Sequence, residues 1–231
     1  MGRDVLRVYR HELKFLLSQM EYENLKYLLR ATMCLDEYVE PEGDYYIRSL
    51  YFDTMDDADY ADKMIGISER RKIRLRIYDM ESDQVKLEIK NKYSDYSIKE
   101  TVAISREDAR ELTKCNYQAL LRYEDSISGK AYHNLMLRGY RPRVIVDYDR
   151  EAYMLPVENV RITFDKRVRA ASASDLFDSN LPMFYILSEQ QVIVEVKYNQ
   201  YLPRHISDIL SSVVMQRMSI SKYCMARQLV G

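Results

Sequence analysis

An α+β fold built on antiparallel sheet is what this chain predicts, and three observations lead there. Segments with period-two alternation outnumber helical ones, short polar turns join several of them, and the helices fall between hairpins rather than in βαβ order. At 231 residues, with 47% hydrophobic and 31% charged content, the chain can bury a core without disulfides or structural metal. A single domain over residues 1–231 is the expectation.

Taken in order, "RVYRHELKFLL" alternates Arg10, Glu12 and Lys14 against His11, Leu13 and Phe15, a first strand that stops at Ser18. "SQMEYENLKYLLRAT" then opens a helix, with Ser18 and Glu21 at capping-box spacing and Leu25, Leu28 and Leu29 as its apolar stripe. "DYYIRSLYFDT", rich in aromatic and β-branched residues, is a strand, and the acidic "DTMDDADYADK" a short surface helix or loop. "RRKIRLRIYDM" and "QVKLEIKNK" form a hairpin through the turn near Glu81, Ser82 and Asp83. "SIKETVAIS" adds a further strand and leads to a helix capped at Ser105 with Asp108. A helical stretch runs from about Tyr117 to Leu137, with Gly129 as the expected break. "RPRVIVDYDREAY", "VRITFDKRVRA" and "QVIVEVKYN" return to strands, and Pro203 starts a helical ending.

Composition excludes several classes. A net charge of −1 argues against a generic nucleic-acid coat, so any anion site must come from local clustering. Cys34, Cys115 and Cys224 are odd in number and far apart, which fits neither a disulfide framework nor a zinc ribbon and suits a reducing compartment. No stretch approaches the roughly 20 apolar residues of a membrane span, and the start lacks a signal-peptide core. A cytoplasmic protein is expected. Walker A and GxGxxG patterns are absent, and His11, His133 and His205 are scattered.

The strands share one further pattern. Lys72, Arg74 and Arg76 lie opposite Ile73, Leu75 and Ile77; Lys86, Glu88 and Lys90 oppose Leu87 and Ile89; Glu195 and Lys197 oppose Val194 and Val196. Arg161, Thr163 and Asp165 oppose Val160, Ile162 and Phe164, and Arg150 falls in phase with Val146 and Tyr148. One such strand signals only a solvated face. Repetition with arginine and lysine suggests instead that helices cover the apolar faces while the charged faces line a polar interior. Like charges two residues apart on a strand repel by about 2 kcal/mol at an effective dielectric near 20, so an enclosed row calls for anions. Polyphosphate supplies them, and Glu12, Glu88 and Glu195 are the candidate ligands of a divalent cation bridging its phosphates.

"YRHELKF", "SLYFDT", "KIRLRIY", "KLEIK", "VDYDREAYMLP", "VRITFD", "VEVKY" and "SKY" stand in the order found in the VTC domain, the polyphosphate polymerase domain of the vacuolar transporter chaperone family. The chain resembles that domain, a triphosphate tunnel metalloenzyme, from about Tyr9 to Arg227. The resemblance implies an antiparallel eight-stranded β-barrel tunnel in which the terminal phosphate of ATP passes to inorganic polyphosphate with Mn²⁺ or Mg²⁺. It casts Arg74, Arg76, Lys90, Arg150, Arg161 and Lys222 as the catalytic cations, Lys14 as a triphosphate binder, Glu195 as metal ligand and Tyr148 as a tunnel-wall contact. Lys72, Lys86 and Lys197 are in phase with that set and stand as second-line candidates at its rim.

The first triplet reads Arg10, Glu12, Lys14 where hydrolytic tunnel enzymes tend to carry ExExK. A cation in place of a carboxylate weakens metal-assisted water activation and adds grip on phosphate, which suits transfer to a phosphate nucleophile. ATP and polyphosphate are thus the expected partners, without nucleic acid. The chain shows no SPX domain or membrane helix, so coupling to translocation would need a separate membrane partner. Two alternatives stay open: a tunnel triphosphatase acting on tripolyphosphate or a nucleoside triphosphate, and a non-catalytic polyphosphate-binding module.

Overall fold

The computed structural model describes residues 10–37, 43–94, 96–213 and 215–231, with Arg10 described by its backbone alone. Eight long strands carry the fold: β1 (Arg10–Ser18), β3 (Tyr45–Asp53), β4 (Glu69–Ile77), β5 (Gln84–Tyr93), β6 (Tyr96–Ser105), β7 (Arg141–Leu155), β8 (Val160–Ser172) and β10 (Gln191–Asn199). Three two-residue strands join them, β2 (Cys34–Leu35), β9 (Phe184–Tyr185) and β11 (Gln216–Arg217). The helices are α1 (Gln19–Arg30), α2 (Ala58–Met64), α3 (Arg106–Thr113), α4 (Ser126–Leu137), α5 (Arg204–Ser211) and α6 (Lys222–Val230). The fold is α+β, as expected.

The chain falls into two compact units, each drawn from three separated segments. The first comprises residues up to Tyr45, Asp149–Arg167 and Ser188–Ile220. Its strands pair in the order β11-β1-β10-β8-β7, with β2 on β7. β1 and β10 are antiparallel along their whole length, Arg10 opposite Asn199 through Ser18 opposite Gln191. Val192, Val194, Val196, Ile162 and Phe164 turn to one side and are sealed by Tyr22, Leu25 and Leu29 of α1 and Ile206 and Leu210 of α5. Each such fully buried side chain contributes roughly 1.5–3 kcal/mol relative to exposure. The capping box forms: Ser18 caps α1 and Glu21 reaches back to the Ser18 backbone N–H at 2.7 Å. The stripe is Tyr22, Leu25 and Leu29; Leu28 is only half-buried.

The second unit holds Tyr46–Tyr148, Val168–Leu187 and Ser221–Gly231, with strand order β9-β8-β7-β3-β4-β5-β6. Ile73, Leu75 and Ile77 pack with Leu50, Phe52, Val85, Leu87 and Ile89 beneath Ala109 and Leu112 of α3 and Ala131 and Leu135 of α4. In each unit, helices therefore roof the aliphatic side of the strands. Within the described residues β6 pairs only with β5 and β11 only with β1, so the pairing order has two ends. The eight long strands match the expected number, while a closing pair of the expected barrel is not among these pairings.

One local expectation is corrected. The stretch from Tyr117 to Leu137 does break, but not at Gly129. A 3₁₀ turn spans Tyr117–Arg122, and α4 starts where Asp125 accepts from the N–H groups of Ile127 and Ser128 at 2.8 and 2.9 Å. Gly129 sits inside α4. The cap at Asp125 supplies a start signal that outweighs the weak helix propensity of one glycine.

Candidate functional site

In the second unit the cationic row of β4 is withdrawn from water. Arg76 is 6% exposed, and the Arg74 side chain 23%. Register explains what surrounds them: Tyr51 and Ser49 of β3 lie opposite Arg74 and Arg76, and Glu88 of β5 lies opposite Arg74 on the other side. Arg74 donates from Nε to Glu88 Oε2 at 2.6 Å and from Nη1 to the Tyr51 phenol oxygen at 3.0 Å. Arg76 donates to Ser49 Oγ at 3.2 Å and to the Tyr148 oxygen at 3.3 Å.

Glu88 is 2% exposed and sits among cations: Arg74 at 2.6 Å, Lys99 at 2.5 Å and Arg76 at 4.0 Å. Burial alone would raise its carboxyl, but Arg74, Arg76 and Lys99 outweigh burial and hold it down at about 2. The same pairing, with Tyr51, keeps the Arg74 guanidinium above its ordinary value against the cost of burial. An enclosed row was expected to need a ligand's anions; here the protein supplies one itself. Cations still outnumber it, because Arg70, Lys72, Arg74, Arg76, Lys86, Lys90 and Lys92 share this face of β4 and β5 with Glu88 as its one carboxylate. Lys90 is opposed by Lys72 on one side and Lys99 on the other, like charges that disfavour the empty ladder.

Helix α6 completes this cluster. Its cap, Ser221, accepts from Cys224 N–H and also from Lys72 Nζ at 2.9 Å. Lys222 stands over the Tyr148 ring at 4.7 Å, and Tyr223 donates to Asp53, which in turn accepts from the N–H groups of Asp59 and Tyr60 at 2.9 Å. Lys86 is exposed, its ammonium 4.7 Å from the Tyr78 ring centre.

In the first unit, Lys14 and Glu195 are opposite each other on β1 and β10, as are Glu12 and Lys197. Lys14 contacts Glu12 at 2.9 Å and Lys197 contacts Glu195 at 2.6 Å. Burial opposes both ammonium charges. Glu195 and Glu12 overcome it at Lys14, which is raised, whereas at Lys197 burial wins and the value is lowered. Arg150 makes a two-pronged pair with the fully buried Asp165 at 2.6 and 2.8 Å, and Arg161 meets Asp36 at 2.6 Å and the Tyr45 oxygen at 3.1 Å. The Arg10 side chain lies outside the described residues.

Glu12 and Glu195 sit diagonally across paired strands. Two carboxylates of this kind fit Mn²⁺ or Mg²⁺, hard cations that take one or two protein carboxylates and complete their shell with phosphate oxygens and water. Among the described residues no group of three or more His, Cys, Asp and Glu is placed to hold a metal by itself. Glu88, the third expected ligand, pairs with Arg74 and Lys99, just as Glu12 pairs with Lys14 and Glu195 with Lys197.

Tyr51, Ser49, Ser221, Lys99 and Asp36 were missed by the alternation argument, and Asp165 was placed on the charged face without its partner Arg150. Alternation treats each strand alone, whereas these residues are found by register across strands or by capping.

A family profile for the VTC domain matches residues 9–230. The chain belongs to the VTC domain family. That membership makes it a protein of the polyphosphate- and triphosphate-handling kind. No curated protein matches the VTC chain. Among solved structures, it is similar to a candidate adenylate cyclase from Bacillus halodurans at 10% identity and TM-score 0.49, covering 89% of this chain and 87% of that one. It is also similar to the PH1819 protein of Pyrococcus horikoshii OT3, at 16% identity, TM-score 0.43 and coverage of 91% and 95%. No helix among the described residues of this VTC chain is long and apolar enough to cross a membrane.

Proposed function

We propose that this chain, as one VTC-like domain over residues 1–231, is a polyphosphate polymerase that transfers the terminal phosphate of ATP to inorganic polyphosphate. The observation that carries the reading is the charge imbalance in the second unit: seven cations against one carboxylate on one face of β4 and β5, with Arg74 and Arg76 largely removed from water. Such a face favours a ligand with many closely spaced negative charges. Orthophosphate would satisfy it poorly.

In this reading catalysis is positioning plus charge neutralisation. In the second unit Arg74, Arg76, Lys90 and Lys222 grip phosphoryl oxygens and stabilise the charge spread over them in the transition state, and in the first unit Arg150 and Arg161 are the phosphate-gripping cations. Their guanidinium planes are pre-oriented by Glu88, Ser49, Asp165 and Asp36, so little reorganisation is needed as the ligand arrives. Tyr148, Lys72 and Lys86 extend the grip in the second unit and Lys14 and Lys197 in the first, with Arg10 a further substrate-binding candidate. Glu12 and Glu195 would hold Mn²⁺ or Mg²⁺, which neutralises phosphate charge when bound. No side chain needs to form a covalent intermediate, because the acceptor is itself an anionic phosphate oxygen. We place the reaction in the cytoplasm, with any membrane partner on a separate chain.

The test is product analysis. The purified chain is incubated with ATP and Mn²⁺ and the products are resolved by gel and by phosphate assay. Long polyphosphate is the expected product. Free orthophosphate alone would replace the polymerase by a triphosphatase, and unchanged ATP would leave a binding module.

A further inference from the structure

We infer that Tyr51 is a further residue of the anion site in the second unit: its phenol oxygen holds the place of a ligand oxygen on Arg74, and its ionised form gains a proton from solvent when a phosphate oxygen of the ligand takes that place. The inference rests on the phosphate-binding reading above and adds to it a residue and a proton.

Tyr51 faces Arg74 directly across the β3–β4 ladder, and Arg74 Nη1 donates to its oxygen at 3.0 Å. The ring is 5% exposed and is backed by Tyr223 of α6, with ring centres 5.3 Å apart. Charged and titratable groups reach it from every packed element. β4 brings Arg74, Arg76 and Lys72; α6 brings Tyr223, which is itself tied to Asp53 of β3; Glu88 of β5 and Tyr148 of β7 act through Arg74 and Arg76. Three cations around one hydroxyl that water scarcely reaches favour its oxyanion. Burial alone would raise the phenol, but Arg74, Arg76 and Lys72 outweigh it and bring it down to about 8.

A phosphate chain brought among the same cations reverses this balance. Its charges take over Arg74, Arg76 and Lys72, and an adjacent phenolate would repel them. One proton from solvent then bonds to the phenolate oxygen, the Arg74 hydrogen bond passes to the ligand, and the neutral phenol can donate to a phosphate oxygen. No bond at phosphorus forms or breaks in this step. Binding should therefore weaken by about tenfold per pH unit above about pH 8, beyond the ligand's own titration.

The full chain is titrated by near-ultraviolet tyrosinate absorbance with and without inorganic tripolyphosphate, and binding is followed separately by calorimetry. Without ligand, Tyr51 should ionise near pH 8, and because burial of Tyr78 is likewise outweighed by Arg76 and Lys86, which lower it, the titration is repeated in Tyr78→Phe, where the step should remain. Saturating tripolyphosphate should move that step up by about one pH unit or more, and Tyr51→Phe should lack it. Tripolyphosphate that binds while the tyrosinate step stays put, or a step that survives in Tyr51→Phe, overturns the role of Tyr51 and leaves the anion site standing. Failure of the wild-type chain to bind tripolyphosphate at all overturns both readings. If Tyr51→Phe does not fold, Tyr78→Phe takes its place: the step should persist there and still move with tripolyphosphate, and its loss overturns the assignment to Tyr51.

Discussion

Replacing Glu88 by glutamine separates an arginine-holding carboxylate from a metal ligand. The side chain is 2% exposed and its charge is met by Arg74 at 2.6 Å and Lys99 at 2.5 Å. Held at about 2 against an ordinary 4.5, it contributes about 3 kcal/mol at neutral pH. The independent figure for removing one partner of a buried ion pair is about 3–5 kcal/mol, so the two routes agree. Glu88→Gln preserves shape, and equilibrium unfolding in urea should therefore show about 3 kcal/mol of lost stability. The sign with pH follows from the depressed value. The contribution is complete above the unfolded carboxyl's range and fades as pH falls from about 4.5 to about 2, so wild type and variant should converge there. Equal urea midpoints at neutral pH, or a deficit that persists in acid, would refute the claim that Glu88 is spent on Arg74 and return it to the metal.

Lys90→Ala should lower phosphate transfer by about a hundredfold or more while the melting temperature holds or rises, since a like charge leaves the ladder, and unfolding instead would make Lys90 structural. Glu195→Gln should abolish the response of activity to Mn²⁺ and Mg²⁺ while tripolyphosphate binding measured by calorimetry survives. Unaltered turnover and metal response would remove Glu195 as a ligand. Ser18→Ala should cost about 1 kcal/mol in a thermal or urea melt by opening the capping box, and no loss would mean that packing by Tyr22, Leu25 and Leu29 alone holds α1.

The strands were legible because alternation is a local property. Ile73, Leu75 and Ile77 announce one face and Arg74 and Arg76 the other, whatever the partner strands are. Capping at Ser18 and Ser105 was legible for the same reason, since both bonds span three residues. What could not be read is everything that depends on register. Tyr51 meets Arg74 only because β3 and β4 align at that step, and Arg150 meets Asp165 across the β7–β8 hairpin. Glu88 reads two ways for a related reason: a carboxylate amid cations has the same sequence context whether it binds a metal or steadies an arginine. Only its neighbours Arg74 and Lys99 distinguish the two.

Because β1 is paired residue for residue with β10, synthesis leaves the strand at residues 10–18 unmatched until residues 191–199 have been made. Meanwhile the meander β4-β5-β6 is close in sequence and can zip up early. Nascent chains should thus pass through a long interval with Leu13, Phe15 and Leu17 uncovered. Fragments ending ahead of β10 are the form of this polypeptide most apt to aggregate and to engage chaperones.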